Sequence, residues 1–240
     1  MRVGIFCLSL VLQSLSSSLD MKLLVKRMES RYRSAHTLQA TFLERYSENG
    51  KLVRTEAGVA YFRRPGKMRW EYEAPEKNLF LVDGKTAWFY VPADRTVTRV
   101  PAKESADWRT PLALLAGEMK LSKICQKIEY AEEEASLSPS DAMVHCQLRG
   151  ADSEPKRASE SEGKKRIAEA QERVYLEVVP SSGELARIVI RDPGGIGIEF
   201  RFANWKMNPA VDEAQFRFQV PQGVAIVNGE LAVGEKSVNP

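Results

Sequence analysis

GVAYFRRPGKMRWEYEAPEKNLFLVDGKTAWFYVP, residues Gly58 to Pro92, is the stretch from which the fold is read. Within it, Met68, Trp70 and Tyr72 alternate with Lys67, Arg69, Glu71 and Glu73. A strict period of two puts apolar and charged side chains on opposite faces of a β-strand. Leu79-Phe80-Leu81-Val82 and Thr86 to Val91 then flank Asp83-Gly84, a pair that closes tight hairpins because glycine accepts the positive φ the turn needs. The stretch reads as consecutive strands joined by turns, several of them carrying Trp, Tyr or Phe. Such a run makes a broad aromatic sheet face, and the question for function is what that face covers.

Upstream, Asp20 to Leu38 reads as a helix, capped by Asp20 and striped by Leu24, Met28 and Tyr32. Leu38, Ala40 and Phe42 switch to period two, which predicts a strand to about Tyr46. Asn49-Gly50 turns it back into a strand from about Leu52 to Arg63. Downstream, Thr96 to Val100 is a short strand. Thr110 to Gly117 is a compact helix with threonine at its N-cap, Pro111 at its first position and glycine past its end. Leu112, Leu114 and Leu115 make it apolar on most sides, so it is either a buried connector or a lid over an apolar concavity. Leu121 to Tyr130 and Ala142 to Leu148 read as a hairpin, with Glu132-Glu133-Glu134 at its wet tip. Gly150 to Glu172 is nearly all charged and small residues without a period, a solvated insertion. Strands resume at Arg173 to Val179, Leu185 to Arg191 and Ile196 to Phe202. Phe216, Phe218 and Val220 are expected to form the last strand, and Val224 to Pro240 is a tail without strong pattern. The fold class is therefore mainly β with an α lid. About ten or eleven short antiparallel strands must curl as one sheet, either closing into a barrel or staying open with the concave face covered by helices.

The chain has 240 residues, 43% of them apolar, which suits a packed core in one large β domain or two small ones. A net charge of +3 without a basic stripe gives no argument for nucleic acid. Residues 1–18 read as a secretory signal. Arg2 is its positive end, Val3 to Leu12 is an apolar run too short to span a bilayer, and Ser16 and Ser18 suit cleavage after Ser18. No cysteine follows that run to be acylated, so a mature chain from Leu19 is expected to be soluble in an exported compartment. Cleavage removes Cys7 and leaves Cys125 and Cys146. In an oxidising compartment the pair is a candidate disulfide, the alternative being two buried free thiols. Its spacing is not that of a C-x-x-C redox motif.

Several decoys are dismissed on chemistry. Gly84-Lys85-Thr86 resembles the end of a phosphate loop, but Leu79 stands where the first glycine is required and the pair lies between strands. His36 and His145 are far apart and lack acidic or cysteine partners at ligand spacing, so no metal is expected. Neither G-x-S-x-G nor any nucleophile with its base occurs. No catalytic residue, cofactor or enzymatic activity is expected.

Arg64-Pro65, Trp70-Glu71-Tyr72, Pro75, Val82-Asp83-Gly84-Lys85-Thr86 and Trp88-Phe89-Tyr90 together resemble the LolA-type outer-membrane lipoprotein carrier family. Its members read close to K/R-R-P-x-x-x-R/N-W and then D-G-K-x-x-W-x-Y. Phe216 to Gly223, FRFQVPQG, resembles the family's terminal strand. The resemblance covers residues 20 to 228 and is strongest at 54–92. It implies one carrier domain over residues 19–228, with an insertion at 150–172 and a tail at 229–240. The implied fold is a half-open β-barrel with helices as its lid. The implied function is that of a periplasmic chaperone for triacylated lipoproteins. It would load from an inner-membrane ABC-type releasing complex, unload to an outer-membrane acceptor, and act as a monomer. Each buried CH₂ is worth ~0.8 kcal/mol, so exposing one ~16-carbon chain costs on the order of 12 kcal/mol, and such cargo cannot cross water unaided. The residues expected to line the acyl-chain cavity are Met68, Trp70, Tyr72, Leu81, Trp88 and Tyr90, with Leu112 and Leu115 from the lid. Met68 departs from the aromatic or large aliphatic residue frequent there, and its flexible thioether suits acyl chains. Arg64 falls on the family's arginine that hydrogen-bonds carbonyls of the lid helices and keeps the empty cavity shut. A guanidinium fork suits unpaired carbonyls at a helix end, and Pro65 biases Arg64 to an extended conformation.

Two other functions remain compatible. One is carriage of other lipids or apolar ligands on the same fold. The other is sensing of mislocalised lipoproteins; sensors of this fold carry an additional C-terminal domain, whereas this chain ends soon after its expected last strand.

Overall fold

The computed structural model describes residues 16–102, 115–117, 120–149 and 172–228. Most of the expected signal, Leu112, residues 150–171 of the expected insertion at 150–172 and the tail at 229–240 lie outside the described residues.

Every described strand belongs to one 12-stranded sheet, in the order β12-β6-β5-β4-β3-β2-β1-β11-β10-β9-β8-β7. The strands are β1 (Thr37–Glu48), β2 (Lys51–Arg63), β3 (Lys67–Ala74), β4 (Asn78–Val82), β5 (Thr86–Val91), β6 (Thr96–Pro101), β7 (Cys125–Tyr130), β8 (Ala142–Leu148), β9 (Arg173–Val179), β10 (Glu184–Arg191), β11 (Ile196–Met207) and β12 (Ala225–Asn228). The edge strands β7 and β12 do not pair with each other, so the sheet is open. Alternation builds its two faces. Along β1, Leu38, Ala40, Phe42, Glu44 and Tyr46 are buried and their neighbours are not. Along β3, Met68, Trp70 and Tyr72 do the same. Gly58 sits where β2 bulges against β3, and a Cβ there would fall 1.8 Å from the Glu71 carbonyl oxygen; only glycine allows the two backbones to close.

The concave face is covered by helix α1 (Ser16–Arg33). Leu24, Met28 and Tyr32 are buried at the spacing the sequence implied. The Tyr32 ring packs edge-on against Trp205 with centroids 5.1 Å apart. Its hydroxyl accepts a hydrogen bond from the Leu185 N–H at 2.8 Å, and burial pushes its pKa up. Beneath the helix, Gly183 at φ +70° lies so close that a Cβ would come within 2.8 Å of the Arg27 backbone. Leu115, Ala116 and Leu121 join the same core. The helix starts before Asp20, so that residue is not its cap. Leu121–Ile124 is a single helical turn, and strand β7 begins only at Cys125.

The C-terminal expectation is corrected. Phe216, Phe218 and Val220 are in no strand; Glu213–Phe216 is a 3₁₀ turn, in which the Asp212 carboxylate accepts from the Ala214 N–H at 2.9 Å. The segment lies over the outer face of the sheet, where Arg69 Nη1 donates to the Gln215 carbonyl at 3.0 Å. Arg63 and Lys67 both bind Glu213. Its alternation is real, with Phe216 buried and Arg217 exposed, but the chain docks by side chains and not by a ladder. The last strand, β12, falls in the expected tail and pairs with β6 in parallel.

The outer face of β8–β11 is covered by the β7–β8 loop. Buried Arg187 bonds Glu177 at 2.6 Å and the Ala135 carbonyl, and meets Glu134 at 3.3 Å. Glu133 binds Arg173 and the Tyr175 hydroxyl. The glutamate run thus anchors the loop to the sheet. Behind it, Cys125 and Cys146 form a disulfide with Cα atoms 5.3 Å apart, joining β7 to β8.

Two stability measurements check this framework. The disulfide spans a sequence separation of 21 residues, for which the chain-entropy relation gives about 3 kcal/mol. The Cys125→Ser/Cys146→Ser variant should lower the urea midpoint accordingly, and an unchanged midpoint would show that the bridge contributes nothing. Burial alone raises the Glu199 pKa, but Arg201, Arg187 and Arg45 outweigh it, and the carboxyl lies below the ordinary value. A depressed carboxyl contributes stability above its unfolded pKa of about 4.3 and loses it as pH falls through the folded value. Glu199→Gln should therefore flatten part of the fall in melting temperature below about pH 5. An unaltered acid limb would refute the assignment.

Candidate functional site

The centre of the concave face is a nest of rings from β1, β2, β3 and β11. Trp70 is 1% exposed and has ring centroids of Phe42 at 4.8 Å, Phe62 at 5.6 Å, Phe200 at 5.3 Å and Phe202 at 6.1 Å. Phe42 also meets Tyr72 edge-on at 5.1 Å. Such tilted arrangements suit the ring quadrupoles. Met68 is buried in the same cluster, together with Phe80 and Val82 of β4 and Ala87 of β5. Beside the rings, away from α1, the face turns polar. The Tyr72 hydroxyl donates to Glu44 Oε2 at 2.7 Å in a buried position. Glu44 is the cross-strand partner of Glu56, which Arg54 neutralises at 2.7 Å. Trp70 Nε1 and Asn78 Oδ1 are buried with no hydrogen-bond partner.

Register places the expected lining residues on two different faces. Met68, Trp70, Tyr72 and Leu115 belong to the concave core. Leu81, Trp88 and Tyr90 do not face it. Leu81 pairs across the ladders with Arg69 on one side and Trp88 on the other, and Tyr90 pairs with Leu79; directly opposed residues share a face. That is the outer face. There Trp88 and Tyr90 pack on Phe218 at 5.3 and 5.7 Å, and the Trp88 indole donates to Asp83. Leu81 is fully buried under this layer. The residues of β4 and β5 that do turn inward include Asn78, Phe80, Val82, Ala87 and Phe89. These strands are apolar on both faces, so hydrophobicity alone does not say which side is which. Counting pairs back from the Asp83-Gly84 turn, where Val82 meets Ala87, is the signal that separates them. Phe62, Phe200, Phe202 and Trp205 were not among the expected lining residues, and for the last three it takes the sheet order to bring β11 beside β1.

Arg64 stands at the turn between β2 and β3, against the end of α1. Its Nη1 donates to the Arg33 carbonyl at 2.8 Å, one of the unpaired carbonyls of a helix terminus. Nε and Nη2 are buried without partners. Burial, then repulsion from Arg33, lowers its pKa. Two residues on, the Gly66 N–H donates to the Ala116 carbonyl at 2.9 Å. One turn of chain thus ties both covering segments to the sheet. Among the described residues no group of acidic, histidine or cysteine side chains is arranged to hold a metal.

A family model described as outer membrane lipoprotein carrier protein LolA matches residues 33–138. The outer-membrane lipoprotein carrier protein of Methylococcus capsulatus is 31% identical over 206 residues, covering 83% of this chain and 85% of its own. That of Chromobacterium violaceum is 30% identical, covering 86% and 88%. The chain belongs to this family. A solved LolA superfamily protein from Nitrosomonas europaea superposes over 82% of this chain and 97% of its own, with 9% identity and a TM-score of 0.42. The residues that the family model matches include Arg64 and, from the ring nest, Phe42, Phe62 and Trp70.

The assignment of faces is measurable without any ligand. A double-mutant cycle between Trp88→Ala and Phe218→Ala should return a coupling of about 1 kcal/mol, whereas Trp70→Ala and Phe218→Ala should be additive. A coupling to Trp70 in place of Trp88 would reverse the faces.

Proposed function

We propose that this chain is a periplasmic carrier that takes the acyl chains of outer-membrane lipoproteins against its concave aromatic face. The observation that carries this reading is the construction of that face. A curled, open sheet presents Met68, Trp70, Phe42, Phe62, Phe200 and Phe202 on one side, and its cover is α1 and the segment at Leu115–Ala116, not a second sheet. A sheet-on-sheet core is permanent; a helix held by side-chain packing and a few hydrogen bonds can be displaced. The family membership agrees with this use. Residues 1–18 act as the export signal and are removed, leaving one carrier domain over 19–228. The chain loads from an inner-membrane ABC-type releasing complex and unloads to an outer-membrane acceptor. Directionality comes from increasing affinity along that series.

Arg64 is the latch. Its bond to the Arg33 carbonyl stabilises the empty, covered state, which competes with the loaded one. A hydrogen bond to a charged group is worth roughly 1.5–3 kcal/mol. Arg64→Leu should therefore still load a triacylated lipopeptide but release it about tenfold or more slowly. Transfer to an acceptor at the normal rate would sink the latch role. The carrier function itself is tested by displacement of a fluorescent apolar probe from the chain beginning at Leu19. Displacement by triacylated lipopeptide, and not by the same peptide without acyl chains, is the expected result. Equal displacement by phospholipid would make it a general lipid carrier, and no probe binding would mean that the concave face is a filled core.

A further inference from the structure

We propose that the indole N–H of Trp70 is the hydrogen-bond donor by which the concave face recognises an acyl carbonyl, so that the protein distinguishes ester- or amide-linked acyl chains from ether-linked ones. The proposal rests on the carrier function above and adds a chemical selectivity that burial of hydrocarbon does not provide.

Trp70 lies at the middle of β3 with its ring among Phe42, Phe62, Phe200 and Phe202. It is 1% exposed, and its Nε1 finds no acceptor. The other described tryptophans differ. Trp205 donates to the Leu185 carbonyl at 2.9 Å and Trp88 donates to Asp83 at 3.3 Å. The hydroxyl of Tyr72, two residues on and on the same face, is already committed to Glu44. Asn78 Oδ1, the unpaired acceptor on neighbouring β4, does not reach the indole. The spare Nε and Nη2 donors of Arg64 belong to the turn beside α1 and not to the ring nest.

A buried donor left without an acceptor is costly, more so in a dry, low-dielectric setting. Phenylalanine would supply the ring packing without that cost, as Phe42 and Phe62 do beside it. What tryptophan adds at this position is one N–H, buried on the concave face without an acceptor in the empty protein. An acyl chain entering there brings a single strong acceptor close to its polar end, the carbonyl oxygen of its ester or amide. Hydrogen bonding to that oxygen satisfies the indole only in the loaded state. An ether-linked chain of equal length buries the same hydrocarbon but has no carbonyl to offer.

The test uses the chain from Leu19 and two synthetic S-glyceryl lipopeptides. They are matched in peptide and chain length and lack an N-acyl chain; one carries two ester-linked chains and the other two ether-linked chains. Probe displacement should show the wild type favouring the ester by on the order of 5-fold. Trp70→Phe should bring the ester-to-ether ratio to about 1, whatever change in affinity the two lipopeptides share. On the wild-type protein, the ¹⁵N-indole resonance of Trp70 should move downfield on adding the ester and not the ether, which decides the matter even if the variant folds poorly. The same ester-to-ether ratio in both proteins, or an unmoved indole signal, overturns the proposal and leaves the carrier function standing. Failure of both lipopeptides to bind the wild type overturns both.

Discussion

A strongly curled sheet with one aromatic side must cover that side or aggregate. Here the cover comes from outside the sheet, and everything else in the structure follows from how it is fastened. The ring nest around Trp70 is too wide for the strands to bury among themselves, because β7 and β12 leave the sheet unclosed. Helix α1 supplies Leu24, Met28 and Tyr32. Its position is fixed by the Tyr32–Leu185 bond, by Arg27 donating to the Pro180 carbonyl, by Arg31 paired with Glu184 at 2.6 Å, by Arg64 at its end, and by the Glu29 carboxylate accepting from the Leu121 N–H at 2.8 Å. Only the first of these is buried; the others are part-buried or exposed.

The outer side contrasts with it. Two segments lie there, the β7–β8 loop and the stretch 209–220, and both are tied by charged groups. Arg187 with Glu177, Glu199 and Glu134 forms a buried cluster under the first. Glu213 with Arg63 and Lys67, and the Arg69 bond to Gln215, hold the second. Breaking a buried ion pair by removing one partner costs about 3–5 kcal/mol, so the Arg187 cluster resists opening. The outer segments are therefore fixtures, whereas most of the bonds that hold α1 are open to solvent in part or in full. This division would let one face be uncovered while the other stays closed.

Much of this was legible in the sequence, and the reasons are local. Wherever one face is wet, as in β1 and β3, alternation gave the strand, its inward residues and its place in the core; Phe42, Met68, Trp70 and Tyr72 follow directly. The helix stripe at Leu24, Met28 and Tyr32 was equally plain. Legibility failed where strands are apolar on both sides. In Asn78–Val82 and Thr86–Val91 the face is set by register, and motif position alone put Leu81, Trp88 and Tyr90 on the wrong one. It failed again at the C-terminus. Phe216 and Phe218 alternate like a strand because they dock on a flat surface, and docking by side chains leaves the same periodic trace as a ladder. The glutamate run at 132–134 looked solvated because its partners, Arg173, Arg187 and Arg191, lie at least 40 residues away. Sequence shows a charge but not the partner that folding brings to it.

The modest fastening of the inner cover is what transport requires. Burying one ~16-carbon chain is worth on the order of 12 kcal/mol, far more than any single contact at the end of α1. If the empty state were unstabilised, that whole sum would appear as affinity and the cargo would never leave. Covering the same rings with Met28, Tyr32 and Leu115 returns most of the hydrophobic gain to the empty protein, because apolar surface is out of water in both states. Affinity is then a small difference between two large burials. In that setting a group worth only a kcal/mol or two, such as the Arg64 bond or an unpaired indole N–H, weighs heavily on whether cargo stays or goes. The polar atoms on this face are few, and it is against a nearly balanced hydrophobic background that they acquire their influence.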